Sequence, residues 1–523
     1  RGPLVEGPVI EHHRGVIERQ VLPAYVDVRR RFASKDRGVE SVKVLKAVPW
    51  PDRGDDLVFT EIEVTLSDGG KERYSLPVGI VWEDENPNAK AQALALARVR
   101  RGRRIGLLTD GFSLEAFPSG LLIGLRNGTS LPVSGGSVRF EKTEGFDDID
   151  FDPAIENRWL ASEQSNSSMI LHDAGVVKLF RRTSAGINPE VEMGRFLTER
   201  GYANTSPLLG EVALVSDNGE RTTLAVLQGF LRNQGDAWRW TLDYLRRSYD
   251  EFNHSTDDER RAEIESGYDA FATAVGKRLG ELHALLAQPT DLPAFTPEKA
   301  SAATVDGWRD GVRAQVGRAL LSVDHAAGMP EDLVADVEAL RGLAGAMRNR
   351  IGKLAEAGRG ALTTRTHGDF HLGQILVVQD DAYIIDFEGE PARSLDERRG
   401  KSSPLRDVAG FLRSLDYASA MARRGEDGLA PVDDAGFADY LARFRERSSR
   451  VFMEAYRGVL DDAPVRWIGA DELAPVLELF VIEKAAYEIN YEAANRPGWL
   501  DVPLRGLLHA ARGETAGELK EDT

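Results

Sequence analysis

The spacing of apolar and polar positions divides the chain into a β-rich first half and a helical second half. Residues 9–25 have helical spacing, after which 41–45 and 57–66 alternate with a period of two, as strands with one buried face do. Ser67-Asp68-Gly69-Gly70 is a turn sequence and 72–78 returns as a strand, so a small curved sheet is predicted. A helix over 91–97 and short glycine-rich strands lead to about residue 150; from 151 to 231 the order is strand, glycine or serine turn, strand, helix, strand. Beyond residue 238 the pattern predicts helices over 238–249, 257–287, 305–321, 330–357, 435–455 and 474–494, with one β-hairpin near 375–387. Residues 514–523 are polar and are expected to form a flexible tail. With 523 residues, the chain exceeds what one core usually serves. Two lobes with a ligand-binding cleft between them are expected.

Composition narrows the class. A hydrophobic fraction of 42% and a charged fraction of 29% suit a folded globular protein. No apolar run approaches the roughly 18 residues of a membrane span, and the start lacks the apolar segment of a secretion signal. The absence of cysteine excludes disulfides, thiol catalysis and cysteine-ligated zinc, and fits a reducing, cytoplasmic setting. Sixty-six basic against eighty-four acidic residues give a net charge of −18, which disfavours nucleic-acid and anionic-membrane partners. The one basic cluster, Arg98 to Arg104, reads as a solvated helix end or turn.

The densest chemistry lies in Thr366-His367-Gly368-Asp369-Phe370-His371-Leu372-Gly373-Gln374. Two apolar strands follow around the turn Gln379-Asp380-Asp381, and the second ends in Asp386-Phe387-Glu388-Gly389-Glu390-Pro391. A hairpin brings its ends together, so Gln374 and Asp386 are expected to face each other at its mouth, with Asp369 on the loop before it. A pocket of carboxylate and amide oxygens suits Mg²⁺ or Mn²⁺. A carboxylate base beside such a site is what phosphoryl transfer requires.

This string resembles the catalytic and metal loops of the aminoglycoside-phosphotransferase-like kinases. The resemblance implies an α+β, bilobal protein-kinase-like fold, ATP and Mg²⁺ as cofactors, and Asp369 as catalytic base. It implies Gln374, where relatives more often carry Asn, and Asp386 as metal ligands, with Glu388 either a further ligand or a group supporting the ligands from behind. His367 and His371 are placed with the acceptor. In the first half, Ser165, Ser167 and Ser168 would cover phosphates, although no G-x-G-x-x-G is present. Lys178, alone in the apolar strand Gly175 to Phe180, matches a β3-type lysine. Glu192, in the first turn of the next helix, is its expected partner, with Glu190 the competitor. Gln228, Phe230 and Leu231 would form the hinge that pairs with adenine.

Finer strings resemble the bacterial maltokinases: Ile187-Asn188-Pro189-Glu190, Leu227-Gln228-Gly229-Phe230, Asn233-Gln234-Gly235-Asp236-Ala237-Trp238, Phe387 to Pro391, Glu483 to Glu492 and Arg496-Pro497-Gly498-Trp499. Leu22-Pro23-Ala24-Tyr25 with Arg29-Arg30-Arg31-Phe32 and Lys35 adds to them, without the tryptophan that relatives more often show beside the phenylalanine. The resemblance implies a cap subdomain over 1–88, an intermediate subdomain over 89–231, a helical C-lobe over 232–513 and the tail over 514–523. It implies transfer of the γ-phosphate of ATP to the anomeric hydroxyl of maltose, giving maltose 1-phosphate for glycogen-type α-glucan synthesis. A trehalose synthase domain or subunit is the implied partner, and a chain beginning at Arg1 suits the C-terminal part of such a fusion. A kinase of the same fold acting on another sugar, such as glucosamine, is the alternative. A non-catalytic pseudokinase module is a further one, opposed by the joint presence of Lys178, Asp369, Gln374 and Asp386.

For the sugar itself, Lys484, Tyr487, Glu488, Tyr491, Glu492 and Asn495 recur at helical spacing, so they share one face. Two tyrosines in a polar stripe suit sugar C–H surfaces, and carboxylates suit hydroxyls. Glu488, Tyr491 and Trp499, then Tyr487 and Arg496, are the expected sugar-binding residues.

Overall fold

A computed structural model describes residues 10–28, 37–51, 57–160, 166–324, 331–425, 431–432 and 434–513, in two units, Arg1–Leu231 and Arg232–Thr523. Arg29 to Phe32, Lys35, Ser165 and the 514–523 tail lie outside the described residues.

The first unit begins with helical turns over Ile10–Val16 (α1), Ile17–Val21 and Leu22–Val28 (α2). Strands β1 (Val39–Pro49), β2 (Leu57–Leu66), β3 (Lys71–Ser75) and β4 (Val78–Trp82) follow, then β5 (Ala95–Arg101) and β6 (Arg104–Asp110). They form an antiparallel sheet in the order β1-β2-β4-β6-β5, with β3 beside β2. The predicted strand over 57–66 is the central β2, and the 67–70 turn joins it to β3. The helix expected over 91–97 shrinks to α3 (Ala89–Ala93), because pairing with β6 takes Ala95 onward into β5. The arginine cluster therefore lies on an exposed edge hairpin, turning at Gly102 with φ +61°, and not at a helix end.

A second antiparallel sheet takes the order β7-β8-β12-β13-β11-β10-β9. Its strands are β7 (Ser130–Val133), β8 (Gly136–Lys142), β9 (Arg158–Trp159), β10 (Asn166–Leu171), β11 (Gly175–Phe180), β12 (Leu208–Ser216) and β13 (Arg221–Gly229). Helices α4 (Ala116–Asn127) and α5 (Pro189–Glu199) interrupt it in sequence. Burial on both faces explains why Leu224 to Leu227 of β13 reads as a continuous apolar run instead of alternating, while in β12 the same burial takes in Glu211, paired with Arg221 at 2.7 Å. Trp50, Phe59, Phe112, Phe117 and Phe140 from the first stretch join Met169, Val177, Leu214 and Leu227 in one core. Trp50 stacks on Phe117 at 4.7 Å. The fully buried Arg181–Asp110 ion pair (2.8 Å) ties the end of β11 to the end of β6, and the Tyr25 hydroxyl donates to Asp110 as well.

The second unit is helical: α6 (Ala237–His254), α7 (Asp258–Ser266), α8 (Asp269–Leu286), α9 (Ala302–Asp324), α10 (Glu331–Ala357), α11 (Leu395–Arg399), α12 (Leu405–Arg424), α13 (Ala435–Asp462), α14 (Ala470–Asn495) and α15 (Asp501–Arg512). A short pair, β14 (Glu298–Lys299) and β15 (Leu362–Thr363), precedes the hairpin β16 (Ile375–Val378) and β17 (Asp381–Ile384). The single helix expected over 257–287 is two, broken at Gly267-Tyr268, where Tyr268 turns inward and is fully buried. α8 packs backbone-close on α13: a Cβ on Gly276 would lie 2.3 Å from the Phe452 carbonyl oxygen. Helices α12 and α15 were not anticipated by the spacing analysis.

Candidate active site

Residues 366–374 cross the second unit as an irregular loop, and α12 holds it. Asp407, in the first turn of α12, is 1% exposed. Its Oδ2 accepts the His367 backbone N–H (2.8 Å) and its Oδ1 that of Gly368 (2.9 Å). The His283 ring nitrogen Nε2 lies 3.2 Å from Oδ2. Burial by itself would raise the Asp407 carboxyl, but the bond from His283 and the Gly368 N–H outweigh it and hold it below the ordinary range. One turn on, Gly410 lets the loop approach, since a Cβ there would sit 2.4 Å from the Phe370 carbonyl oxygen. Ser414 Oγ accepts the Leu372 N–H. Gly368 itself has φ +84°, a conformation that favours glycine.

This leaves Asp369 at the loop's bend, partly exposed. His367 is buried beneath it and bonds the Ile385 carbonyl through Nε2 (2.8 Å) while Nδ1 accepts the Asp369 N–H (3.3 Å). It is a support for the loop, which corrects its expected placement against the acceptor: a ring 1% exposed with both nitrogens engaged has nothing left to offer a sugar. His371 accepts the Gly373 N–H at Nδ1, and its Nε2 lies 3.9 Å from Asp369. Burial lowers the His371 pKa and the Asp369 carboxylate offsets this only partly. Lys484 of α14 brings its ammonium to 3.6 Å from Asp369.

The hairpin register pairs Ile375 with Ile384, and the Ile385 N–H donates to the Gln374 carbonyl. Gln374 therefore faces Ile385, one residue short of the expected Asp386, because the turn holds two residues and not three. Asp386 has φ +66°, which swings it out of the strand line. One of its carboxylate oxygens and one of Glu388's lie within 4.8 Å of each other. Together with the Gln374 amide, these are hard oxygen donors of the kind Mg²⁺ takes.

In the first unit, Lys178 of β11 is 8% exposed and pairs with Glu190 at 2.9 Å. The other Glu190 oxygen accepts from the Gln228 side chain at 3.1 Å. This corrects the expected Lys178–Glu192 pair. Asn188 caps α5, its side chain accepting the Glu190 N–H, and Pro189 opens the first turn. Glu190 then faces the sheet, and Glu192, two residues or about 200° further round, faces away from it and is only half-buried. Ser167 and Ser168 lie within β10, not in a phosphate-covering turn. Ser168 is paired across from Lys178, and Ser167 Oγ accepts from Arg181. Gln228 sits in the ladder between β11 and β12, and the Phe230 N–H donates to the Ala174 carbonyl, so neither matches the hinge role expected of its backbone. Leu231 ends the unit.

On α14 the predicted stripe splits. Glu488 is buried against Arg413, which reaches its Oε2 from Nε (2.9 Å) and Nη2 (2.7 Å). Burial raises its carboxyl despite that arginine. Glu492 is saturated by Arg496 (2.7 and 3.0 Å) and the Tyr417 hydroxyl. Trp499, 5% exposed, stacks on Tyr417 with Arg424 over its ring at 4.3 Å. Glu488 and Trp499 are thus spent on packing against α12, correcting their assignment to the sugar, whereas Arg496 is exposed and pairs with Glu492 of α14. Tyr487 and the exposed Tyr491, with Asn490 and with Gln315, Arg318, Leu321 and Ser322 of α9, line a groove of about 540 Å³. Burial and the neighbouring Glu390 raise the Tyr487 hydroxyl's pKa, and the Lys484 ammonium lies 5.1 Å above the Tyr487 ring.

No protein-family model matches the chain. A glucosamine kinase of Mycolicibacterium smegmatis is 27% identical over 355 residues, 67% of this chain and 78% of its own length. A second, from Streptacidiphilus jiangxiensis, is 26% identical over 355 residues, 67% of this chain and 72% of its own. The structure of a glucosamine kinase in complex with glucosamine, ADP and inorganic phosphate superposes with a TM-score of 0.61 at 21% identity, covering 93% of this chain and 96% of that one. The fold is kinase-like: antiparallel sheets in the first half and a helical C-terminal region. Among the described residues, no helix is long and apolar enough to cross a membrane.

Proposed function

We propose that the protein is an ATP-dependent kinase that phosphorylates a sugar hydroxyl. The observation that carries this reading is the Asp407-pinned loop, which presents Asp369 beside Lys484 just ahead of the hairpin that ends in Asp386 and Glu388. Asp369 would take the proton of the acceptor hydroxyl as its oxygen bonds to the γ-phosphorus and the bond to the β-phosphate oxygen breaks. Lys484, 3.6 Å from Asp369, would help orient that carboxylate and steady the acceptor. Lys178, held by Glu190, would pair with the α- and β-phosphates. Gln374, Asp386 and Glu388 would hold Mg²⁺, which neutralises charge on the β- and γ-phosphates when bound.

Glucosamine is the acceptor we infer first, because both curated relatives carry that activity in their names. Maltose, phosphorylated at its anomeric hydroxyl, is the second reading, and two features favour it. The Lys484 ammonium 3.6 Å from Asp369 would repel a cationic sugar group near the reacting hydroxyl. The groove lined by Tyr487, Tyr491 and Leu321 would also give a second ring a surface to lie on. On that reading a trehalose synthase domain or subunit would supply the maltose. ADP release measured with glucosamine, maltose, glucose and trehalose tests both readings: the highest kcat/KM identifies the acceptor, and no release with any sugar refutes the proposal.

A further inference from the structure

Behind Asp407 lies a chain of buried polar side chains. Trp467, Tyr456, His283 and Asp407 are each 0–1% exposed. The Trp467 indole N–H lies 2.8 Å from the Tyr456 oxygen, which lies 2.9 Å from His283 Nδ1. For a neutral His283 imidazole, donor inventory sets the direction of every bond. Indole N–H can only donate, so Tyr456 accepts there and its single proton points at His283. His283 Nδ1 is then the acceptor, the ring proton sits on Nε2, and Nε2 donates to Asp407. Asp407 keeps its remaining acceptor capacity for the His367 and Gly368 N–H groups that shape the Asp369 loop. Without the Tyr456 hydroxyl the imidazole would be held by the 3.2 Å bond to Asp407 alone, and a half-turn of the ring would put a C–H against that carboxylate.

We infer that Tyr456 and Trp467 are remote positioning residues for phosphoryl transfer: their one-way hydrogen-bond chain locks the His283 ring so that Nε2–H faces Asp407 and keeps the Asp369 loop in register. The inference rests on the kinase reading for its kinetic consequence, and on geometry alone for its effect on the loop. Tyr456→Phe removes one oxygen and keeps the packing. Its expected effect is about a fivefold fall in kcat, the size of one neutral buried hydrogen bond, with KM for ATP and for the sugar unchanged. Trp467→Phe should act in the same direction and less strongly, because the Tyr456 hydroxyl remains. Hydrogen exchange at the His367 and Gly368 amides should quicken in Tyr456→Phe, and the ¹⁵N spectrum of labelled histidine should show His283 as the Nε2–H tautomer in the parent protein. The exchange and the spectrum need no turnover, so they decide the geometry even if no sugar proves to be a substrate. A lowered Tm with unchanged kcat and unchanged exchange at those two amides overturns the inference, as does an Nδ1–H tautomer for His283.

Discussion

Asp407→Asn is the sharpest test of how the site is built. The carboxylate takes three N–H donors with two oxygens, and water cannot replace any of them. An amide has one oxygen and two N–H groups of its own. In its better orientation the amide oxygen replaces Oδ2 and keeps His367 and His283, but an NH₂ then meets the Gly368 N–H. One charge-assisted bond is lost and two become neutral, about 3–4 kcal/mol in all. Melting should fall by about 5–10 °C, as expected for a unit of this size. The loop should relax by enough to cost at least about a hundredfold in kcat, the effect of a misplacement near 1 Å. The pH window follows from the sign of the shift. Because folding lowers this carboxyl's pKa, its stabilisation is fully present above the unfolded value of about 3.9 and is lost only as pH falls towards the depressed folded value. Neutral-pH assays therefore see the whole effect. Coupled ADP release at saturating ATP and sugar, beside a melting curve, reads both quantities. A variant that melts lower yet keeps kcat within about threefold would show that the loop's N–H anchors do not position Asp369, against the geometric argument.

Asp369→Asn should keep the parent Tm and lose at least about a hundredfold in kcat, the usual contribution of a general base; near-normal single-turnover rates would remove Asp369 from that role. Glu190→Gln should raise KM for ATP and lower stability by about 3 kcal/mol, since it takes a paired carboxylate from a buried lysine, while Glu192→Gln should change both less; the reverse pattern in nucleotide titrations and melts would restore Glu192 as the lysine's partner. Tyr491→Ala should raise the sugar KM about fivefold, as loss of an aromatic contact does, whereas Trp499→Ala should lower Tm and leave the sugar KM alone. Folding lowers the His371 pKa, so its contribution is fully present above the unfolded value of about 6.5 and declines as pH falls below it; His371→Gln should flatten that acid-side slope in stability measured from pH 7.5 to 5, and an unchanged slope would assign it elsewhere.

The parts of the site that could be read from sequence are those whose partners are close in sequence. His367, Asp369, Gln374 and Asp386 fall within twenty residues, and the apolar strands between them announce the hairpin that gathers them. Lys178 was legible for a similar reason, as the one charge in an apolar strand. Asp407 was not, because its partners are backbone N–H groups forty residues earlier, which leave no mark on side-chain patterning. The helix that carries it did leave a mark: Leu405, Val408, Phe411, Leu415, Ala418 and Ala422 recur at three- and four-residue spacing and are all buried. Glu190 and Glu192 needed a local argument about the Asn188 cap, since an error of two residues reverses the face.

The α14 stripe failed for a deeper reason. Helical spacing tells which residues share a face but not whether that face meets water. α9, α10, α12 and α15 surround this helix, so its polar side had to meet protein along part of its length. Where α12 offers Arg413 and Tyr417, Glu488 and Glu492 turn to them and are lost to solvent. Where α9 offers Gln315 and Ser322 across an open groove, Tyr487 and Tyr491 remain accessible. The division between buried and groove-lining residues on α14 is therefore set by its neighbours. An Arg413→Met variant tests this directly. Removing the guanidinium should leave Glu488 as an unpaired buried carboxylate and destabilise the protein by about 3 kcal/mol or more, and Arg413→Met with Glu488→Leu should recover much of that loss without altering the sugar KM. A double variant that regains stability but no longer binds the sugar would return Glu488 to the acceptor site.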